Sequence, residues 1–289
     1  MTGGASADRV AVIGAGTMGH GIAQVAAVAG CRVELVDTAV QRVQASLEHI
    51  RANLDEGVAR GKVTAAARDA ALSNINGITD IAAAVHDADV VIEAVPEQMQ
   101  LKVDVLARVA AAAPPDAFLA SNTSGLSISE MQRALPDPDR IVGLHFFNPV
   151  HIMALVEVVH GQDTSDEVLD AAVAFARRLG KEPIVVKDSP GFASTRLGVA
   201  LGLEAMRMLE EGVASAEDID RAMELGYRHP MGPLRLSDLI GLDVRLDIAR
   251  HMHAAFGGER FRPPAILERM VADGRLGRKS GAGFFAWND

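Results

Sequence analysis

Two groups of residues in this chain have the types and spacing that chemistry needs. The first is Gly14-Ala15-Gly16-Thr17-Met18-Gly19, a GxGxxG run answered by Asp37 eighteen residues after Gly19. Glycine at the first position permits a tight turn, at the second a close approach of bare backbone to a diphosphate, and at the third close packing of a helix on a strand. The amides and dipole of a helix starting there attract phosphate oxygens. A carboxylate at Asp37 suits a pair of ribose hydroxyls and repels a 2′-phosphate, which selects NAD over NADP. Arg32 lies on the wrong side of that strand end to offset the repulsion; Arg42 is the cation that can. Gly14, Gly16, Thr17, Met18, Gly19 and Asp37 are therefore the expected cofactor contacts.

The second group is spread along the chain: Ser121-Asn122-Thr123-Ser124, His145-Phe146-Phe147-Asn148-Pro149, and Glu157 inside the apolar run Leu155–Val159. Hydride transfer from an alcohol requires a base for the hydroxyl proton, and a neutral imidazole near pH 7 suits that role. A carboxylate on the other ring nitrogen fixes the tautomer and stabilises the imidazolium. Glu157, a lone acid among β-branched residues, needs a partner if buried, and His145 is the proposed one. Taken singly, each has a plainer reading: a satisfied structural histidine and a solvated edge glutamate.

The elements that must position these residues follow from periodicity. Val10–Ile13 reads as a strand opening onto the glycines, and Gly16–Ala29 as a helix ended by Gly30. Arg32–Val36 is a second strand, stopping at Asp37. A long amphipathic helix covers about 39–60 and a shorter one 64–72. Val90–Val95 is a buried strand, followed by a helix over about 98–112. Phe118–Ala120, Ile141–Leu144, Leu155–Val159 and Ile184–Val186 are further strands, with a helix over about 165–179. Alternating strands and helices predict a Rossmann-type, doubly wound, mostly parallel α/β sheet. From Gly191 only helical periodicity remains, clearest at 196–211, 216–225 and 233–256. The expected division is a nucleotide-binding domain over 1–188 and a smaller all-α domain over 189–289 that closes the substrate cleft and carries a dimer interface. The stripe Leu197, Leu201, Met208 serves either that interface or the internal core.

Bulk properties exclude several functions. The 289 residues carry a net charge of −10, which argues against nucleic acid and anionic membrane as partners. No apolar run reaches spanning length without a charge or helix breaker. Met1–Arg9 lacks an apolar core, so no signal peptide is expected. The single cysteine, Cys31, cannot form an internal disulfide and fits a reducing cytoplasm. His251 and His253, two apart, point to different sides of a helix, and no metal-binding motif occurs.

The motif set Gly14–Gly19, Asp37, Glu93–Glu97, Ser121–Ser124, His145–Pro149, Glu157, Pro190-Gly191-Phe192, His229–Pro233 and Gly277–Gly281 with Gly283-Phe284 resembles the L-3-hydroxyacyl-CoA dehydrogenase family over nearly the whole length. The resemblance implies that His145 is the acid/base, that Glu157 pairs with it, and that Ser124 and Asn148 contact substrate and nicotinamide. It implies cofactor contacts at Glu97, Lys102 and Lys279, and acyl-CoA contacts at Asn53 and Arg60 on the helix after Asp37. Thr195 stands where the family has a site asparagine; it is shorter and lacks the amide. Two alternatives use the same scaffold: a dehydrogenase of a free hydroxy or sugar acid, and a non-catalytic NAD-binding protein such as the crystallins related to this family.

Overall fold

A computed structural model describes residues 8–287; the expectation about a signal peptide concerns residues that lie mostly outside that range. The described chain separates into two compact units, the first ending at Ser189 and the second beginning at Pro190.

The first unit is built on eight strands: β1 Arg9–Ile13, β2 Arg32–Val36, β3 Ile75–Ile78, β4 Val90–Glu93, β5 Phe118–Ser121, β6 Ile141–Phe146, β7 Leu155–His160 and β8 Glu182–Lys187. Their order is β3-β2-β1-β4-β5-β6-β7-β8. β1 to β6 run parallel; β7 is antiparallel to β6, and β8 is parallel to β7. The helices are α1 Thr17–Val28, α2 Val40–Ala59, α3 Ala65–Ser73, α4 Ile81–Val85, α5 Met99–Ala110, α6 Ile128–Arg133 and α7 Asp166–Arg178. The central strands are apolar at consecutive positions because helices cover both faces. Val10, Val12, Ile92, Ala120, Val142 and Val158 are buried in one cluster with Ile22, Ala26, Leu54 and Phe175 from the helices. Each fully buried Val, Ile or Leu stabilises the unit by roughly 1.5–3 kcal/mol.

The parallel arrangement of β1, β4, β5 and β6 brings their carboxyl ends to one edge, with the order reversing between β1 and β4. That reversal is where an open α/β sheet binds ligands. A cavity of about 850 Å³ lies there, lined by the glycine turn, Asp37, Ser46, Ala94-Val95-Pro96 and Arg108.

The second unit is helical: α8 Ser194–Glu210, α9 Ala216–Tyr227, α10 Pro233–Ile240, α11 Leu242–Phe256 and α12 Ala265–Ala272. The stretch 233–256, expected as one helical run, is two helices because Gly241 adopts φ +108° between them, a region open mainly to glycine. Asp220 caps α10, accepting from the amides of Leu234 and Arg235 at 2.8 and 2.9 Å. Burial pushes its carboxyl above the ordinary range, against those two hydrogen bonds. Buried Asp238 accepts from the amides of Phe284 and Phe285 and the indole of Trp287, which ties the C-terminal segment to α10. On α8 the stripe divides: Met208 packs against the unit's core while Leu197 is 71% exposed.

Candidate active site

The glycine turn is shaped by what a side chain would strike. A Cβ at Gly14 would fall 2.6 Å from the Ala94 carbonyl oxygen, and one at Gly19 would fall 1.7 Å from that of Gly14. A Cβ at Gly16 would meet nothing within 4 Å, so the backbone there faces open space. Gly14 and Gly19 are thus glycine for internal packing. Gly16 is the one that leaves room for a ligand, as a diphosphate against the start of α1 requires. Asp37 accepts from the Ala15 amide at 3.0 Å and the Thr38 amide at 2.8 Å. A carboxylate has about four acceptor directions, so capacity for ribose hydroxyls remains. The Arg42 guanidinium stands 3.7 Å from Asp37 and is paired with it. Thr17 and Met18 line the same cavity. These residues fit a dinucleotide with unphosphorylated ribose.

Next to this edge lies a polar network that the sequence did not reveal. Glu93 ends β4, fully buried, and Lys102 on α5 is fully buried beside it. The Lys102 ammonium donates to both Glu93 carboxylate oxygens at 2.9 and 3.1 Å and to the Val95 carbonyl at 3.2 Å. It also stands 3.3 Å from the Glu97 carboxylate. Ser121, at the end of β5 and in register with Glu93, donates to Glu93 at 2.6 Å. Glu97 in turn accepts from the Thr123 hydroxyl at 2.6 Å and from the Ser124 amide and hydroxyl at 2.8 and 3.0 Å. Burial alone would raise the Glu97 carboxyl, but Lys102, Thr123 and Ser124 together hold it below the usual range. Lys102, an expected cofactor contact, is thus fully buried, with its ammonium held by Glu93, the Val95 carbonyl and Glu97.

His145 is the fifth residue of β6, and Glu157 stands opposite it on β7 in the antiparallel register. Nδ1 lies 2.7 Å from Glu157 Oε2. Glu157 is fully buried and His145 nearly so, which makes the interaction strong through low local dielectric. A carboxylate accepts, so Nδ1 carries the hydrogen, and Nε2 is the basic nitrogen of the neutral ring. The Phe147 ring lies 4.4 Å from the imidazole, centroid to centroid. Asn122 holds the end of β6 by accepting from the Phe146 amide at 3.0 Å.

The remaining expected contacts are more dispersed. Asn148 is exposed in the loop after β6, before a cis bond to Pro149. Buried Lys181 fastens that loop by donating to the carbonyls of Val150 and Met153. Asn53 on α2 donates to Gln24 on α1 at 3.3 Å. Arg60, just past α2, is exposed and pairs with Glu56 at 2.5 Å. In the second unit Thr195 lies in the first turn of α8, and Lys279 pairs with Asp243 at 2.6 Å. Sequence reasoning assigned no role to Glu93, Ser121, Thr123 or Asn122, although all four fall within quoted motifs. An acid ending a strand of Val-Val-Ile was the available signal. No group of three or more potential metal ligands converges among the described residues.

A nucleotide cleft whose neighbouring strands carry a buried imidazole–carboxylate pair defines a nucleotide-dependent dehydrogenase. Comparison with known proteins narrows the class. Residues 9–189 match the family described as 3-hydroxyacyl-CoA dehydrogenase, NAD binding domain, and residues 191–287 match its C-terminal domain. The 3-hydroxybutyryl-CoA dehydrogenase of Mycobacterium tuberculosis is 43% identical over 282 residues, covering 97% of this chain and 98% of the relative. That of Bradyrhizobium diazoefficiens is 41% identical over 280 residues, covering 96% and 94%. The crystal structure of (S)-3-hydroxybutyryl-CoA dehydrogenase from Ralstonia eutropha superposes with a TM-score of 0.95 at 41% identity, covering 98% of this chain and 100% of that one. The chain belongs to the 3-hydroxyacyl-CoA dehydrogenase family, and its cofactor is NAD. No described helix is long and apolar enough to cross a membrane.

Proposed function

We propose that this enzyme reversibly oxidises (3S)-3-hydroxyacyl-CoA to 3-oxoacyl-CoA, with 3-hydroxybutyryl-CoA as a preferred substrate. The observation that carries the reading is the buried His145–Glu157 pair at 2.7 Å beside the nucleotide edge. NAD, when bound, supplies the hydride acceptor. His145 takes the substrate hydroxyl proton onto Nε2 as the C3–H bond breaks, and Glu157 balances the resulting imidazolium. The Ser124 hydroxyl and the Asn148 amide contact substrate and nicotinamide, and Glu97 holds Ser124 in place. Lys279 keeps the cofactor contact that the family resemblance gives it, and Thr195 offers a hydroxyl where the family has an asparagine amide. Asn53 and Arg60 receive the CoA moiety along α2, where Arg60 supplies a local cation that the net charge does not.

NADH release measured over a chain-length series of 3-hydroxyacyl-CoA esters and the matching free acids tests this. Turnover is expected to be highest with the four-carbon ester; equal or better activity on free 3-hydroxybutyrate would remove the CoA assignment. The active form is a homodimer joined through the second unit, whose Leu197, Leu239, Ile240 and Val244 leave apolar surface exposed. Sedimentation at micromolar concentration is expected to give twice the chain mass. The cytoplasm is the compartment that suits a lone, buried, reduced Cys31.

A further inference from the structure

Two histidines that the reaction does not use face each other across the seam between α1 and α2. The rings of His20 and His49 are 5.6 Å apart, centroid to centroid, and tilted by 49°. Both line the 850 Å³ cavity beside the glycine turn. Polar contacts flank the pair: the Ser46 hydroxyl donates to the Ala15 carbonyl on one side, and Asn53 donates to Gln24 on the other. The titratable groups acting on His20 are His49 from α2 and His151 from the loop after β6. The other ionisable groups lining the cavity are Asp37, Arg42 and Arg108.

The tautomer of His20 is fixed by its neighbour. Nδ1 lies 3.0 Å from the Gly16 carbonyl oxygen, which can only accept. Nδ1 therefore carries a hydrogen, and in the neutral ring Nε2 bears the lone pair. Burial lowers the His20 pKa, the Gly16 hydrogen bond raises it less, and His49 and His151 lower it further, which favours the neutral ring when no anion is bound. A lone pair turned toward a phosphate oxygen repels it. An imidazolium offers Nε2–H as a charge-assisted donor instead.

We propose that His20 and His49 form a phosphate-binding subsite that takes up a proton when a nucleotide diphosphate occupies it. The phosphate is either that of the dinucleotide or that of the CoA ester; the second case rests on the function proposed above. A dianion at the edges of the two rings offsets the disfavour that His49 and His151 set against an imidazolium at His20, so affinity rises as pH falls.

Calorimetric titration of the full chain with NADH, and separately with CoA, at pH 7 in buffers of different ionisation enthalpy reads this directly. The parent is expected to take up a fraction of a proton with one of the two ligands, and that ligand's Kd to tighten about tenfold from pH 8 to pH 6. His20→Gln is expected to abolish the uptake and flatten the pH dependence, and His49→Gln to reduce both. Uptake with NADH assigns the dinucleotide phosphates; uptake with CoA assigns those of the ester. No uptake with either ligand, uptake undiminished in His20→Gln, or an effect untouched by His49→Gln overturns the proposal. Far-UV circular dichroism and the unfolding midpoint check that each variant is folded. Turnover of hydroxyacyl-CoA is scored separately, so a protein that takes up the proton but fails to oxidise the ester refutes the function and leaves the subsite.

Discussion

Glu93 and Glu157 are buried equally deeply in the same sheet, and each is held against a nitrogen base. Their surroundings differ in what the base can do. Glu93 meets an ammonium that is itself fully enclosed, along with a serine hydroxyl and the Val95 amide at 2.6 Å. The acceptors Glu93, Glu97 and the Val95 carbonyl surround that ammonium, so this cluster is a brace. Glu157 meets an imidazole, a side chain with a second ring nitrogen able to accept or donate a proton. Burial of a carboxylate does not by itself mark chemistry. On the function proposed above, the group that the carboxylate faces separates a positioning acid from one that supports proton transfer.

The sharpest break of that contrast is His145→Gln, expected to lower kcat by two to four orders of magnitude while NADH still binds. Steady-state kinetics with a fluorescence titration check both halves, and activity within about tenfold of the parent removes His145 as the base. Glu157→Gln is expected to cost about a hundredfold in kcat with little change in KM. Lys102→Met attacks the other side. It leaves Glu93 buried without a cation and is expected to cost about 3–5 kcal/mol in urea unfolding, with kcat falling far less than in His145→Gln. Asp37→Ser is expected to raise the KM for NAD about tenfold and to narrow the preference over NADP, read by initial rates with each cofactor. The smallest effect concerns Glu97. Its folded carboxyl lies below the ordinary value, so its contribution to stability is complete above the unfolded value and lost as pH falls through the folded one. Ser124→Ala removes one donor, so the Glu97 carboxyl rises and the loss begins at higher pH. Carbon-13 titration of Glu97 together with acid unfolding checks the direction.

Much of the contrast could be read from sequence at one pole only. A histidine after one strand and a glutamate inside another suggested a pair, because both are poor residues for an apolar strand without a reason. The brace stayed hidden, because joining Lys102, Glu93 and Ser121 needs the register between β4 and β5 and the approach of α5, and no local pattern encodes either. The strand β3, Ile75-Asn76-Gly77-Ile78, was missed for a related reason. Its glycine and asparagine disfavour strands, yet a Cβ at Gly77 would lie 2.3 Å from the Val43 side chain, so α2 can cross there only over a glycine. The helices α4 and α6, of five and six residues, are too short for periodicity to detect. The reversal at β7 left no signature, because buried parallel and antiparallel strands are equally apolar.

That reversal has an evolutionary reading. His145 and Glu157 are separated by twelve residues but stand directly opposite each other in the ladder. Flanking strands on both sides fix that ladder, since β5 pairs with β6 and β8 with β7. Alignment of the dyad is thus inherited from backbone pairing rather than from the connecting loop. The loop can change in length without altering the distance between imidazole and carboxylate. What the arrangement cannot tolerate is a slip of either strand by a single residue, which turns one partner to the opposite face of the sheet.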